Sequence, residues 1–526
     1  MNMQKQVIKA IKSSGILGAI AILTVLIFGG YSGTLIGWLF GTAVGFLKTQ
    51  GQKVFNPKEG ASIGARAGLG IGICLFIGTL LEGWLIRPIS GQYSVGFIPL
   101  LAGFLAFIVS ILAGGVMGAA QGIPARKQQA TLLTFAFVLV FFPFADLLLQ
   151  TKWIDTAIQI LFFAMMALGL NITVGFAGLL DLGYVAFFTI GAYTTGLLSS
   201  PHLGINLNFW LVLPLAALVA AFFGLILGTP TLRLRGDYLA IVTLGFGQIV
   251  PVLFRNLTEV RIEEPISKFF AIIAGKPEMT ICLIGCTRPL NLTGGEAGIN
   301  PIGRPYLPII GTFNSTNYLP WYYLILLLVV FTYFAIARLR DSRLGRSWAA
   351  IREDELAACA MGINLVKTKL LAFAMGASFA GLAGAFYAAY ISAIFPGTFD
   401  FAISVIILCM VILGGLGNMT GVILGSIIIM AADRLYLPQL AKVLKGFLNT
   451  SVLPFINDPA LKDFIAVSFD PLQMRLFLFG LTLVIMMLVR PEGLVPDAMH
   501  QAEMHPTDEA IKKSLSPARK QSATVD

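Results

Sequence analysis

Long apolar segments recur along the chain and are separated by polar stretches. A helix needs about 20 apolar residues to cross the roughly 30 Å hydrocarbon core of a bilayer. We place predicted transmembrane segments at 14–30, 31–47, 67–86, 96–119, 131–150, 155–171, 184–199, 209–227, 238–254, 320–338, 369–390 and 472–490. This pattern predicts an all-α polytopic membrane protein with about 12–14 transmembrane helices, some of them short or broken.

One further apolar pair, at 402–413 and 419–432, is split by a run of small residues. Each arm is short for a full crossing, so two tilted short helices and a re-entrant hairpin both fit. We select four residues of the split as candidates for a substrate pathway: Gly414, Gly415, Gly417 and Asn418.

Composition separates this chain from soluble proteins. Of its 526 residues, 57% are hydrophobic and only 12% are charged, whereas a soluble domain has about 25% charged residues. Its mean hydropathy is +0.85. One soluble core of this length cannot bury so much apolar surface, so the main solvent is lipid. An ordinary soluble enzyme, a disordered chain and a nucleic-acid binder with a basic patch are excluded.

The distribution of Lys and Arg predicts the orientation, because cytoplasmic loops carry an excess of these residues. With the N-terminus inside and 14–47 as a hairpin, the inside segments hold 23 of the 36 Lys and Arg, and four short outside loops hold 2. Both termini are therefore predicted to be cytoplasmic. If 14–47 is one long helix, only the N-terminus changes sides.

Several polar segments lie outside the predicted spans. Residues 255–319 and 433–471 are predicted external loops, and 496–526 is a predicted polar cytoplasmic tail. Cys282 and Cys286 lie close together in the first loop, where a local disulfide and two unpaired cysteines are both compatible with the spacing. With five Cys and three His in the whole chain, we predict no metal site.

The segment after the helix predicted at 155–170 is rich in glycine and polar residues. Its pathway candidates are Asn171, Thr173, Gly175, Gly178, Asp181 and Gly183. A break at membrane depth exposes backbone groups that are tolerated only against protein or a wet cavity, and transporters use such breaks to hold substrates. A cytoplasmic turn between two spans is the alternative. Asp181 is either a surface N-cap of the next helix or a pathway residue.

Two interruptions in one chain, at 171–183 and 414–418, resemble each other in their small residues and their Asn. Paired interruptions in corresponding halves of a transporter indicate an internal repeat around a central site. We therefore predict that both segments contribute to one pathway.

The loop at 338–369 is rich in arginine and too polar to span. From Ser347 to Met361 its spacing predicts an amphipathic helix on the membrane surface, stopped by Gly362. Its apolar positions are Trp348, Ile351, Leu356, Ala360 and Met361. Arg343, Arg346 and Arg352 suit contact with an acidic partner or phospholipid. A plain positive-inside connection is the alternative.

No catalytic constellation is found in the sequence. The chain lacks the G-x-x-x-x-G-K-[ST] motif of a P-loop, so we predict no ATPase site and no cofactor on this chain. The glycine-rich stretch from Gly68 to Cys74 lies inside an apolar span with no preceding strand, which favours helix-packing glycines. A transporter, channel or receptor is the expected class.

Six blocks of the sequence resemble the branched-chain amino-acid permease family of bacterial ABC importers, of the LivM type. The blocks lie at 171–198, 232–250, 292–299, 345–364, 369–388 and 413–425. They occur in the order found in the family, and the resemblance covers roughly 131–495.

This resemblance implies a permease subunit that imports branched-chain or other neutral amino acids across a bacterial inner membrane. It implies a second homologous permease, two cytoplasmic ATPases that use ATP and Mg²⁺, and a periplasmic amino-acid-binding protein. It also implies ATPase docking through an EAA-type motif in the loop at 338–369. Ala357, Ala358 and Gly362 hold the spacing of the motif, Leu356 stands in the Glu position, and Glu355 is one residue earlier. We predict docking residues Arg352, Glu355, Ala357, Ala358 and Gly362.

The chain departs from the family pattern in two places. Residues 1–130 add about four predicted spans, and the external loop 255–319 is long. Within the same family, urea or a short amide is the alternative substrate. An ion-coupled secondary transporter is a competing class, which would need ion-binding carboxylates within the spans and no ATPase contact.

Overall fold

The computed structural model describes the greater part of the region resembling the family and shorter pieces of the N-terminal region. The described residues are 41, 57–81, 106–115, 139–144, 146, 153–202, 204–231, 237–258, 291–308, 311–314, 316–447, 474–489 and 493–495. The predicted spans 14–30 and 31–47, apart from Gly41, lie outside this set, as do Cys282, Cys286 and the tail 496–526.

Among the described residues, eight helices are long and apolar enough to cross a membrane. They are Ala61–Thr79, Ile154–Phe176, Phe209–Thr229, Tyr238–Asn256, Leu319–Arg340, Leu365–Ile391, Pro396–Gly414 and Met419–Lys442. Shorter apolar helices lie at Ala106–Gly115, Tyr184–Ser199 and Arg475–Leu488. The prediction of an all-α polytopic membrane protein is confirmed.

The chain divides into two compact units, one of residues 1–156 with 431–475 and the other of 157–430 with 476–526. The boundary predicted between 130 and 131 falls outside the described residues and stays a prediction.

In the first unit, helix α1 (Pro57–Leu81) packs closely on helix α2 (Ala106–Gly115). The hydroxyl of Ser110 donates a hydrogen bond of 2.8 Å to the carbonyl of Gly68. A Cβ added at Gly68 would collide with the Ser110 carbonyl, and one at Gly72 would lie 2.8 Å from the Phe107 ring. The glycines of Gly68 to Cys74 therefore pack helices, as predicted.

Ten elements form most of the second unit. They are α3 (Ile154–Asn171), α4 (Tyr184–Ser199), α5 (Phe209–Thr231), α6 (Asp237–Asn256), α7 (Leu319–Arg340), α8 (Arg343–Glu353), α9 (Glu355–Ala360), α10 (Leu365–Ile391), α11 (Phe401–Gly414) and α12 (Met419–Ala431). Helix α10 is the most deeply buried long helix after α3, and α4 and α5 pack along it.

Small residues allow this close packing around α10. A Cβ at Gly191 of α4 would collide with the backbone of Gly381, and one at Gly384 would collide with the Phe188 carbonyl. Close backbone approach through small residues is how helices associate where no hydrophobic force drives them together. Aromatic rings from several elements contact one another and the rings of α10: Phe162, Phe188, Trp321, Phe386, Tyr387, Tyr390 and Phe399.

The described part of the predicted loop 255–319 is folded. Strands β1 (Tyr306–Leu307) and β2 (Gly311–Thr312) pair antiparallel, and short 3₁₀ turns lie at Gly295–Ala297 and Pro396–Thr398. Ile299 and Ile394 exchange two backbone hydrogen bonds of 3.0 and 3.1 Å, which ties the loop to the end of α10. Residues 259–290 lie outside the described set.

The two short arms predicted around 414–418 are the helices α11 and α12, which have 14 and 13 residues. With the helical turns that flank them, the apolar stretches extend over Pro396–Gly414 and Met419–Lys442, 19 and 24 residues, which is long enough to cross a membrane. Helix α12 continues through a π-helical turn at Ala432–Tyr436 into α13 (Leu437–Phe447). The first part of the predicted external loop 433–471 is therefore helical.

The amphipathic helix predicted from Ser347 to Met361 is two helices rather than one. Asp354 has an extended backbone between α8 and α9, and its carboxylate accepts hydrogen bonds from the N–H groups of Leu356 and Ala357 at 2.7 and 3.1 Å. Asp354 thus caps α9 while ending α8. Gly362 follows with a φ of 84°, as expected for a helix stop.

The final described helix is α14 (Arg475–Val489).

Candidate functional site

The first predicted interruption is a real break between α3 and α4. Helix α3 widens into a π-helical turn at Ile172–Phe176, and residues 177–183 are not helical before α4 begins at Tyr184. The Thr173 hydroxyl donates to the Leu170 carbonyl at 2.9 Å, and the Thr173 carbonyl accepts the Leu179 N–H at 2.8 Å. Gly178 has a φ of 69°, which lets the chain turn.

The second predicted interruption is a tight glycine turn between α11 and α12. Gly415 and Gly417 have φ values of 115° and 86°. The side chain of Asn418 accepts the N–H of Thr420 at 3.0 Å and that of Gly421 at 3.2 Å, so Asn418 caps α12. A Cβ on Gly414 would collide with the Gly421 carbonyl.

A short C-terminal segment, 493–495, covers this glycine turn. The N–H groups of Leu494 and Val495 donate to the carbonyls of Leu413 and Gly414 at 2.9 and 3.2 Å. The side-chain amide of Asn418 donates to the Val495 carbonyl at 3.0 Å. Backbone groups that the turn frees from helical bonding are therefore partly satisfied by 493–495.

The structure brings the two interruptions together. The backbone N–H of Gly417 donates a hydrogen bond of 3.0 Å to Oδ1 of Asn171, which is fully buried. A Cβ on Gly175 would collide with Asn171 Oδ1 and lie 2.7 Å from the Gly417 nitrogen. Asn171, Gly175 and Gly417 thus form one contact, which we call the clasp.

Asp181 and Gly183 lie at the other end of the first interruption. Asp181 is buried, so it is not the surface N-cap considered above, and the N-cap of α4 is Gly183. Oδ1 of Asp181 accepts a hydrogen bond of 2.9 Å from the Gly183 N–H. The Leu182 N–H donates to the Thr243 hydroxyl at 3.1 Å, which attaches the start of α4 to α6.

The predicted docking loop folds back onto the protein rather than onto lipid. Trp348 of α8 is fully buried, and its indole N–H donates to the Thr368 carbonyl at 2.8 Å. Ile351 is also buried. The apolar face of α8 therefore covers the start of α10, which corrects the prediction that it lies on the membrane surface.

The apolar residues of the next helix point the other way. Leu356, Ala360 and Met361 were predicted to share the covered face, but they are exposed, Leu356 at 70% and Met361 at 83%. Because a second helix begins after Asp354, the side chains of α9 are rotated relative to those of α8. Leu356, Ala360 and Met361 therefore do not extend the apolar face of α8.

The predicted docking residues fall into two groups. Ala357 and Gly362 are exposed beside Leu356 and Met361. Ala358 is buried, Glu355 forms a 2.6 Å ion pair with Lys369, and Arg352 donates from Nη1 to the Gly175 carbonyl. Sequence reasoning missed Leu356 and Met361 as surface residues, although Leu356 stands where the motif has its Glu.

Among the described residues, no three His, Cys, Asp or Glu side chains gather into a group that could hold a metal ion.

The arrangement defines a class: a polytopic α-helical transport protein with paired helix breaks and a folded hairpin between two long spans. The model of the family described as branched-chain amino acid transport system, permease component, matches residues 152–487. That match covers more than half of the chain, and the chain belongs to this family.

Individual relatives agree with this assignment. The chain is 36% identical over 378 residues to the high-affinity branched-chain amino acid transport system permease protein LivM of Salmonella typhimurium, covering 72% of this chain and 77% of that protein. The Escherichia coli LivM protein gives the same identity and coverage. The probable branched-chain amino acid transport permease protein LivM of Methanocaldococcus jannaschii is 26% identical over 341 residues, covering 61% of this chain and 81% of the relative. No solved structure matches the chain.

Proposed function

We propose that this chain is the membrane-embedded permease subunit of an ATP-driven importer for branched-chain or other neutral amino acids. The observation that carries the proposal is the clasp, in which two helix interruptions far apart in sequence meet through Asn171 and Gly417. Family membership and the names of the LivM relatives support the class of substrate.

The clasp supplies groups that suit an amino-acid zwitterion. Nδ2 of Asn171 has no acceptor within the described part of the chain. The Gly417 N–H donates to Oδ1 of the same Asn171 side chain. When the interruptions separate, both donors face the pathway and meet the substrate carboxylate without a buried cation. Thr173, Gly175, Gly178, Asp181, Gly183, Gly414, Gly415 and Asn418 shape the same pathway.

The energy comes from partner subunits. Two cytoplasmic ATPases that hydrolyse ATP with Mg²⁺ dock on the surface formed by Leu356, Ala357, Met361 and Gly362. A second homologous permease completes the pathway, and a periplasmic binding protein delivers the amino acid. The exposed apolar side chains of this hairpin support the docking site, because they otherwise face water.

The orientation follows the positive-inside rule. The segment 338–369, which contains the hairpin, carries seven Lys and Arg and is cytoplasmic, as are both termini, in a bacterial inner membrane. Residues 131–495 form the permease domain, and 1–130 is an extension with about four spans.

Transport by the reconstituted complex tests this function. The chain is purified with its co-purifying subunits, placed in proteoliposomes, and assayed with labelled leucine, alanine, proline, glycine and urea. We expect saturable leucine uptake that requires ATP and the ATPase subunits. Saturable uptake of urea alone would overturn the amino-acid assignment, and uptake driven by an ion gradient without ATP would indicate a secondary transporter.

A further inference from the structure

The hairpin of α8 and α9 has two faces with different contacts. Its outer face carries three exposed residues: Arg346, whose Nη1 donates to the nearby Asp341 carbonyl, Leu356 and Met361. Its inner face carries Trp348, which is fully buried. Arg352 lies on the inner side and is partly buried.

Arg352 contacts the first interruption through both parts of its side chain. The guanidinium Nη1 donates a hydrogen bond to the carbonyl of Gly175, within the π-helical turn. The aliphatic stem lies over Gly178, where an added Cβ would be 3.0 Å from Arg352 Cγ and 3.3 Å from its Cβ. A planar guanidinium with several fixed donors holds a carbonyl in a defined direction, which a lysine ammonium does less well.

The carbonyl that Arg352 holds belongs to the clasp. Gly175 is so close to Asn171 and Gly417 that even a methyl group at its Cα would collide with the Asn171 side chain. Close-packed groups transmit displacement instead of absorbing it. A movement of Arg352 therefore acts on the contact between the two interruptions.

The hairpin is held separately on α10. Trp348 bonds the Thr368 carbonyl, and Glu355 pairs with Lys369 at 2.6 Å. These two contacts fix the hairpin to the first turn of α10. Arg352 is the side chain that reaches from the hairpin to the other element, the first interruption.

We propose that Arg352 is a positioning residue that transmits movement of the docked hairpin to the clasp, and that it is not part of the ATPase-binding surface. This inference rests on the proposed function of the chain as an ATP-driven permease. It reassigns Arg352 from the docking residues predicted by sequence. Glu355 forms an ion pair with Lys369 of the same chain, so we also remove Glu355 from the proposed docking residues.

The test separates docking, hydrolysis and transport in the complex with its ATPase subunits. Arg352→Ala is compared with Arg340→Ala, at an exposed arginine of α7 that lies outside the hairpin and pairs with its neighbour Asp341, and with Leu356→Asp, a lesion of the outer face. For Arg352→Ala we expect ATPase association within about twofold of the native complex. We expect the ratio of leucine molecules imported to ATP molecules hydrolysed to fall about tenfold or more. This is the size of effect expected when one charge-assisted hydrogen bond is lost.

A second variant reaches the same contact from the opposite side. Gly178→Ala places a methyl group against Arg352 and strains a backbone with a φ of 69°. We expect the same separation of association from transport, while Arg340→Ala leaves all three measurements unchanged. Because Gly178 is outside the hairpin, this variant remains informative if Arg352→Ala accumulates poorly.

Two results would overturn the inference. One is loss of ATPase association in Arg352→Ala to the level of Leu356→Asp, which would make Arg352 a docking residue. The other is native coupling of uptake to hydrolysis in both Arg352→Ala and Gly178→Ala. Failure of the native complex to import any amino acid with ATP would instead overturn the proposed function, so the two failures are distinguishable.

Discussion

The side chain of Asn171 accepts a hydrogen bond of 3.0 Å from the backbone N–H of Gly417, 246 residues later in the chain. Each residue lies in a helix interruption, and each interruption frees backbone groups that lipid cannot satisfy. Through this contact, the Asn171 side chain of the first interruption provides a hydrogen-bond acceptor for a backbone N–H of the second. In the proposed transport cycle, the two interruptions separate and close at this contact.

Replacing Asn171 by Leu removes the acceptor and leaves the buried Gly417 N–H unpaired. We expect the protein to lose about 1–3 kcal/mol of stability, the cost of an unsatisfied buried polar group. The measurement is thermal unfolding in detergent, with leucine uptake as a second readout. Asn256→Leu, at an exposed asparagine that bonds only within its own helix, is the control. Equal unfolding temperatures for the two variants would contradict the clasp.

The close contact between α4 and α10 predicts a sharp difference between two glycines. Gly191→Ala places a methyl group against the Gly381 backbone, whereas Gly245→Ala meets nothing within 4 Å. Overpacking of this kind costs about 1–3 kcal/mol. We expect a lower unfolding temperature for Gly191→Ala and an unchanged or slightly higher one for Gly245→Ala. The reverse order would show that α4 and α10 do not pack as described.

The ion pair of Glu355 and Lys369 predicts a defect of stability and not of docking. Lys369 is only 8% exposed and Glu355 is 32% exposed. Because the pair is partly screened by solvent, we expect Glu355→Gln to cost about 1 kcal/mol. Glu353→Gln, at an exposed neighbour, is the control. A double-mutant cycle with Lys369→Met measures the coupling, and lost ATPase association without lost stability would assign Glu355 to docking instead.

The outer face of the hairpin predicts a defect of docking and not of stability. Leu356 is 70% exposed, so Leu356→Asp changes the free energy of unfolding by less than about 0.5 kcal/mol. Truncation or charging of a central apolar interface residue costs about 2 kcal/mol or more of binding. We therefore expect pull-down of the ATPase subunits to fall more than tenfold, which is the conversion of that energy.

Tyr306→Asp changes an exposed residue of strand β1, within the predicted external loop 255–319, and serves as the control for Leu356→Asp. It should retain ATPase association. Retained association in Leu356→Asp would place the docking surface elsewhere on the chain.

Local sequence patterns were sufficient to find both interruptions. Glycine clusters inside apolar runs have few explanations in a membrane protein, and the φ values at Gly178, Gly415 and Gly417 supply the reason. The contact between Asn171 and Gly417 could not be predicted, because nothing in a local pattern specifies which distant backbone group an asparagine bonds.

Two errors came from charged residues with a second role. The single helix predicted from Ser347 to Met361 runs through Asp354, but the Asp354 carboxylate caps the next helix, so the helical phase changes there. Asp433 and Arg434 looked like the end of a span, yet they pair with each other at 3.3 Å inside a continuous helix. The docking role predicted for Arg352 stays a prediction, and the structure adds a hydrogen bond from its guanidinium to the Gly175 carbonyl that no local pattern specifies.

Labelling of Cys359 tests the central claim most directly, because this residue is exposed on the hairpin proposed to dock the ATPases, while Cys74 and Cys409 are buried. Cys282 and Cys286 are first replaced by Ser, and a membrane-impermeant maleimide is applied to intact cells and to inverted vesicles. We predict labelling in inverted vesicles only, with protection when the ATPase subunits are bound. Labelling from outside intact cells, or no protection by the ATPases, would contradict the account.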